Sequence, residues 1–308
     1  MSALTVSKDE EKRLKGQGFL NNRGTDEFSA RVITVNGKVT AAQHRCMAEA
    51  AEKFGNGNLT YTTRLSVEIQ GIPYEKIEKF QEFIAKEGLE TGGTGAKVRP
   101  VVSCKGTTCQ YGLLDSYGIS EKIFERFYKG YRQVALPHKF KIAVGGCPNN
   151  CVKPNLNDVG IIGQRIPHFD SEACKGCKKC AIEAACPNKV AKVVDGKLHI
   201  DEELCRHCGR CVGKCPFHSI PDGTYGFKIY IGGRWGKKIS HGKALNRIFT
   251  SEEEALDVIE KAILLFKDRG LKGERFAETI ERNWIRKMQK NNYWKKILLE
   301  RKMEILSK

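Results

Sequence analysis

Thirteen cysteines constrain this 308-residue chain more than any other feature, because twelve of them fall into three sets of four. The sets are Cys104, Cys109, Cys147 and Cys151; Cys174, Cys177, Cys180 and Cys186; and Cys205, Cys208, Cys211 and Cys215. An odd total in tight clusters reads as metal ligands rather than as a disulfide framework. A chain this long buries a core without covalent staples. The thirteenth, Cys46, lies in a helical pattern and reads as a small core residue.

The second and third sets are two copies of one design. Cys174-x2-Cys177-x2-Cys180-x5-Cys186-Pro187 is followed by Cys205-x2-Cys208-x2-Cys211-x3-Cys215-Pro216. Three thiolates in one loop hold three irons of a cubane. In two-cluster ferredoxins the fourth Cys of each run serves the other cluster. Cys174, Cys177, Cys180 and Cys215 are therefore assigned to one [4Fe–4S] cluster, and Cys205, Cys208, Cys211 and Cys186 to the other. A zinc site does not call for two such runs with Cys-Pro endings. The first run has five residues before its last Cys where the usual pattern has three. The remaining set follows two predicted strands, where ligands gather in α/β sheets. Its spacing suits a third cubane but also a structural Zn(Cys)4 site.

Around these clusters the pattern alternates. Residues 1–25 are polar and read as an arm. A strand over 28–37 ends at Asn36-Gly37, a helix covers 40–54, a strand covers 60–70, and an amphipathic helix covers 74–87. Strands follow at 98–103, 140–144 and 157–163, with a helix at 113–129. The stretch 167–222 is dense in Cys, Gly and Pro and reads as an insertion. Strand character resumes at 225–233. Ser251-Glu-Glu-Glu opens a helix ending before Gly270, and a basic helical region runs from Glu274.

Several resemblances converge on one family. Cys104-x4-Cys109 with Cys147-x3-Cys151 resembles the sirohaem–[4Fe–4S] signature of sulfite and nitrite reductases, many of which have five residues in the first gap. Leu136-Pro137-His138-Lys139-Phe140-Lys141 resembles that family's Leu-Pro-Arg-Lys-Phe-Lys stretch. Thr62-Thr63-Arg64-Leu65 through Gln70-Gly71-Ile72, and Ala30-Arg31 up to Asn36-Gly37, resemble its two arginine-bearing segments. Gly92-Gly-Thr-Gly to Val98-Arg99 resembles its glycine-rich sirohaem loop. The likeness covers about residues 27–165, the insertion and the Gly-Gly-Arg segment at 232–234. The insertion is similar to that of dissimilatory and anaerobic sulfite reductases, and the single-repeat chain is most similar to the sirohaem-bearing component of the anaerobic sulfite reductases.

That resemblance implies an α+β fold. A nitrite/sulfite reductase ferredoxin-like half-domain spans 1–75. A sirohaem-[4Fe–4S] α/β domain spans 76–166 and 223–308, interrupted by a two-cluster ferredoxin domain at 167–222. It implies sirohaem and three [4Fe–4S] clusters, with Cys104, Cys109, Cys147 and Cys151 on the coupled cubane and Cys151 bridging to the haem iron. It implies Arg31, Arg64, Lys139 and Lys141 as the substrate cations, with Arg99 and Arg234 toward the macrocycle's carboxylates. The implied activity is six-electron reduction of sulfite to sulfide, with nitrite reduction to ammonia and a non-catalytic electron carrier as alternatives. No G-x-G-x-x-G follows a strand. Electrons are therefore expected from an iron–sulfur subunit and a flavin subunit drawing on NADH, and a neighbouring copy is expected to complete the fold as an oligomer.

Lys plus Arg number 53 against 36 Asp plus Glu, a formal +17. No nucleic-acid-binding motif accompanies the excess, and it is spread along the chain. The most basic helix, Arg282 to Lys308 with Trp284, Ile285, Tyr293, Trp294, Ile297 and Leu298, is a candidate docking surface for an acidic partner. No apolar run nears the ~20 residues of a membrane span, and no signal peptide is read at the start, so a cytoplasmic protein is expected.

Overall fold

The computed structural model describes residues 6–287, and side chains up to residue 282. The basic region beyond residue 287, with Tyr293, Trp294, Ile297 and Leu298, lies outside the described residues, as do the side chains of Trp284 and Ile285.

The first unit is a four-stranded antiparallel sheet with helices on it. Helix α1 (Lys8–Gly16) is capped by Ser7, whose Oγ accepts from the Glu10 N–H at 3.2 Å. It leads into β1 (Phe19–Asn21) and β2 (Glu27–Val32). The described part of the first 25 residues is thus not an arm. Leu14 and Phe19 are both buried in the core, and two anchors in a polar stretch leave no periodicity to read. Helix α2 (Ala41–Phe54) starts at a Thr40–Gln43 capping box and buries Cys46, Met47, Ala50, Ala51 and Phe54 along one face.

The expected single strand over 60–70 is two: β3 (Leu59–Tyr61) and β4 (Val67–Pro73), paired antiparallel. The chain reverses between them, with Leu65 at φ +62 and the Thr62 N–H donating to the Ser66 carbonyl at 2.9 Å. Arg64 therefore sits on a hairpin tip. Helix α3 (Ile77–Ala85) buries Ile77, Phe80 and Ile84, and the sheet runs β1-β2-β4-β3.

The second unit is a five-stranded mixed sheet in the order β11-β10-β7-β6-β5. Strand β5 (Val102–Ser103) is shorter than expected, with one isolated bridge from Val98 to Phe140 upstream. Helix α4 (Ser116–Ile123) passes into a π-helical segment, Phe124–Lys129. Strands β6 (Ile142–Gly145) and β7 (Val159–Pro167) continue parallel to β5. Then comes the inserted stretch, with a short helix α5 (Ala181–Ala185) and a hairpin of β8 (Ala191–Val194) and β9 (Lys197–Ile200).

The chain returns as β10 (Gly223–Ile231), which pairs antiparallel with β7 from Gly223↔Pro167 to Ile231↔Val159. The Cys-rich stretch is the loop of a long hairpin, which is how it interrupts the sheet without disturbing it. It keeps a small core of its own around Ile182, Ala191, Leu198 and Ile220, edged by cysteines. Strand β11 (Lys243–Phe249) was not expected. It is a mostly exposed edge strand with no apolar alternation to reveal it. Helices α6 (Glu252–Arg269) and α7 (Phe276–Lys287) close the structure, with Phe140, Phe266 and Phe276 packed ring to ring beneath the sheet. Among the described residues no helix is long and apolar enough to cross a membrane.

Candidate active site

The ends of β5 and β6 carry the first cysteine set. Cys104 follows Ser103, and Cys147 follows Gly145-Gly146. The two turns are pinned together. The Gly146 N–H donates to Cys104 Sγ at 3.1 Å, Ser116 Oγ donates to the Cys104 carbonyl at 2.7 Å, and the Leu113 N–H donates to the Gly146 carbonyl at 2.8 Å. Gly106 and Gly146 meet backbone to backbone: a Cβ on Gly146 would lie 2.6 Å from Gly106 Cα. Burial pushes the Cys147 thiol up, the Asn149 N–H opposes this, and Cys104, Cys151 and Cys109 add to it through their charge. The structure thus brings all four sulfurs into one neighbourhood, with Cys151 the exposed member.

In the insertion, Cys186 lies near Cys205, Cys208 and Cys211. Burial first, and then the charges of Cys208 and Cys186, push the Cys205 thiol up against a hydrogen bond from the His207 N–H. Cys211 is pushed up to about 11 by burial, with Cys208, Cys205 and Cys186 adding to it. Cys186, Cys205, Cys208 and Cys211 line one pocket with His207, Gly209 and Arg210. The two Cys-Pro thiols behave differently. Burial raises Cys186, but N–H donors at Ala191, Val190, Asn188 and Lys189 outweigh it and leave the thiol below its usual range. At Cys215, burial is likewise outweighed by Ser219 and Phe217. N–H groups aimed at sulfur favour the thiolate, the form that binds iron. Cys174, Cys180 and Cys215 edge the same small core. Among the described residues no three His, Cys, Asp or Glu side chains are set for a single metal ion. A cubane asks for a different arrangement, one thiolate per iron around a larger body.

The expected cations gather at the other end of the short parallel strands. Strand β6 is four residues long, so about 13 Å of chain separates the two ends. Arg64 reaches from its hairpin into the second unit. Its Nη1 donates to Asn157 Oδ1 at 3.0 Å, and its Nη2 to the carbonyls of Pro100 at 2.7 Å and Ile142 at 3.2 Å. Arg99 donates to the Gly93 carbonyl of the glycine-rich loop. Lys139 and Lys141 flank Phe140 just before β6 and are partly buried. The carboxylate facing them is Asp158, wholly buried, which accepts from the Lys141 N–H at 2.8 Å and from Arg275 Nη2 at 3.0 and 3.1 Å.

One buried carboxylate against Arg64, Arg99, Lys139, Lys141 and Arg275 leaves the site electropositive. Desolvation first, and then neighbouring arginines, push Arg64 and Arg99 down to about 10. Lys141 falls to about 8 for the same reasons, through burial and then Arg64, Arg275 and Lys139, with Asp158 opposing. Lys139 is lowered by burial, Arg275 and Arg99. The buried Nε atoms of Arg64, Arg99 and Arg275 have no hydrogen-bond partner. Uncompensated buried cations with orphaned donors are costly unless an anion joins them. The donor set therefore fits a group rich in carboxylates together with an oxyanion.

Two expected cations are each paired with a carboxylate, though Arg31 still acts through its charge on Arg64 and Arg99, and Arg234 on Lys139. Arg31 forks onto Glu68 across the first sheet. Arg234 pairs with Glu278 at 2.8 Å, on a loop closed by its backbone bonds with Ser240.

Comparison with known proteins places this architecture. The sequence model of the nitrite and sulphite reductase 4Fe-4S domain matches residues 94–297. The chain belongs to the nitrite and sulphite reductase family. The family's ferredoxin-like half-domain matches residues 21–87. The chain is 29% identical over 261 residues to the coenzyme F420-dependent sulfite reductase of Methanocaldococcus jannaschii, covering 84% of this chain and 39% of that one. It is 30% identical over 147 residues to a subunit of the anaerobic sulfite reductase of Salmonella typhimurium, covering 43% of this chain and 42% of that one. The chain thus spans about two fifths of these two relatives. In fold it is similar to dissimilatory sulfite reductase I, with a TM-score of 0.66 at 21% identity, covering 91% of this chain and 69% of that one.

Within this family fold, four site residues escaped the sequence reading: Asp158, Arg275, Asn157 and Glu68. Arg275 sits in a basic stretch, where one more cation carries no signal. Asp158 lies inside the run 157–163 read as a strand, as Glu68 lies inside 60–70, so neither carboxylate carried a distinguishing signal.

Proposed function

We propose that this chain carries the sulfite-reducing centre of a sulfite reductase, converting sulfite to sulfide with six electrons. The observation that carries the reading is the under-compensated cation cluster of Arg64, Arg99, Lys139, Lys141 and Arg275, gathered at the start of the strands whose other ends hold four cysteines. Cys104, Cys109, Cys147 and Cys151 would hold a [4Fe–4S] cluster, Cys151 would also serve a sirohaem, and Arg99 and Arg234 would receive that group's carboxylates. When bound, that pair supplies the electron storage that no side chain can provide.

The chain's own residues do the rest. Arg64, fixed by three acceptors, is a preorganised positive charge for a sulfite oxygen. Lys139 and Lys141 have no carboxylate ion pair among the described residues, so their ammonium groups are open to the substrate. Lys141 at about 8 is protonated at neutral pH yet releases its proton readily, as loss of oxygen as water requires. Arg31 contributes least, since Glu68 holds it. The domain division at 75, 166 and 222 is proposed with the same reading. So are two ferredoxin-type clusters feeding the centre, delivery from iron–sulfur and flavin subunits using NADH, and a neighbouring copy completing the fold.

An anaerobic optical spectrum with iron and acid-labile sulfide analysis tests the proposal. Sirohaem bands with sulfide matching three cubanes, and turnover of sulfite with a reduced dye, are expected. Clusters without sirohaem bands would reduce the protein to an electron carrier. Faster turnover of nitrite than of sulfite would reassign the substrate.

A further inference from the structure

The two cysteine sets of the insertion are not equally attached to the rest of the molecule. The run Cys205–Cys211 is fastened to the large sheet. The Arg165 N–H on β7 donates to the His207 carbonyl at 2.7 Å, and Arg165 bridges to Cys208. Gly209, at φ +68, lies so close that a Cβ there would meet the Arg165 side chain at 2.9 Å. From this run Arg210 reaches back, its guanidinium 4.8 Å from the centre of the Tyr111 ring. Tyr111 stands two residues after Cys109, and Arg210 directly before Cys211. A cation–π contact thus joins a loop of one cysteine set to a loop of another.

The run Cys174–Cys180 instead packs on the insertion's own hairpin. Gly176 abuts the Gly196 carbonyl, and Lys197 Nζ donates to the carbonyls of Ser171 at 3.1 Å and Cys174 at 3.2 Å.

We propose that Arg210 stacked on Tyr111 holds the Cys186, Cys205, Cys208 and Cys211 set as the last station before the Cys104, Cys109, Cys147 and Cys151 set, and that electrons enter at the Cys174, Cys177, Cys180 and Cys215 set. This rests on the functional reading above. Each transfer moves one electron, oxidising the donor set and reducing the acceptor set, with no bond made or broken. Tyr111 and Arg210 are positioning residues. Both are exposed, so their replacement leaves the core intact.

The test uses holoprotein, reduced by dithionite and sampled by rapid-freeze electron paramagnetic resonance. Tyr111→Ala and Arg210→Ala are expected to keep the wild-type iron content and the wild-type rate of reduction of the insertion's clusters. Onward transfer to the third cluster should slow by about tenfold or more, the order expected when a reacting pair loses its fixed geometry. The double variant should be no slower than either single one, because both remove one contact. Tyr111→Phe, which keeps the ring, should transfer at the wild-type rate, and Arg210→Gln should match Arg210→Ala. Wild-type transfer in both alanine variants, or additive losses in the double, overturns the proposal. A wild-type protein lacking the third cluster overturns the functional reading instead, so the two failures are distinguishable.

Discussion

Replacing Asp158 by Asn removes one charge from a pair that water does not reach. Asp158 is 0% exposed and Arg275 4%, and one guanidinium nitrogen meets both carboxylate oxygens at 3.0 and 3.1 Å. The amide retains an oxygen for the Lys141 N–H, but Arg275 becomes a buried cation among other cations. Breaking such a pair from one side costs about 3–5 kcal/mol. At about 2–4 °C per kcal/mol for a large domain, the melting midpoint should fall by roughly 6–20 °C. Removing both charges with Asp158→Asn and Arg275→Met leaves no stranded ion, so the double variant should melt above the single one.

The same change has a local readout. Asp158 is the neighbour that opposes the lowering of Lys141, so its loss should carry that ammonium below its present value of about 8. Anaerobic thermal melts and a pH–rate profile with a reduced dye measure both effects. Asp158→Asn melting within about 0.5 kcal/mol of wild type would show that the pair is not the counterweight inferred from its burial.

Two further outcomes follow from the same geometry. If Lys141 supplies a proton, wild-type sulfite reduction should decline as pH rises through about 8, where the ammonium form is lost. Lys141→Arg should abolish that limb and lower the maximal rate, since a guanidinium keeps its proton, and a pH profile checks both. Gly146→Ala would force a Cβ to within 2.6 Å of the Gly106 backbone, so the two cysteine turns must separate. Iron analysis should then show a loss of about four irons per chain, and a full complement would mean that the turns tolerate parting.

The parts of the fold that were legible in the sequence are those where burial is periodic. Helix α2 announces itself through a capping box and an apolar face, and α6 through Ser251 and its acidic first turn. The insertion was legible because ligand spacing is independent of packing. What escaped was structure held by few residues. Leu14 and Phe19 anchor a polar start, and β11 has a mostly exposed pattern that no alternation betrays. The reversal between β3 and β4 was hidden because Thr62-Thr63-Arg64-Leu65 is rich in strand-favouring residues, and only the left-handed Leu65 turns the chain.

For the site the division is sharper. A candidate ligand such as Cys147 is proposed from its spacing, and Lys141 from its resemblance, because each signal is carried by local sequence. The charge balance that decides what Lys141 can do is defined by contacts from elsewhere: Arg64 from a hairpin tip, Asp158 from the start of β7, and Arg275 from the start of α7. Two carboxylates of ordinary appearance take opposite parts. Glu68 neutralises Arg31 on the first sheet, and Asp158 leaves most of the cluster uncompensated while orienting the Lys141 backbone. Nothing local in the chain distinguishes Glu68 from Asp158. The difference is made by burial, which leaves Glu68 19% exposed by side chain and Asp158 0%, and so turns one into a partly exposed partner and the other into the counterweight of the proposed anion site.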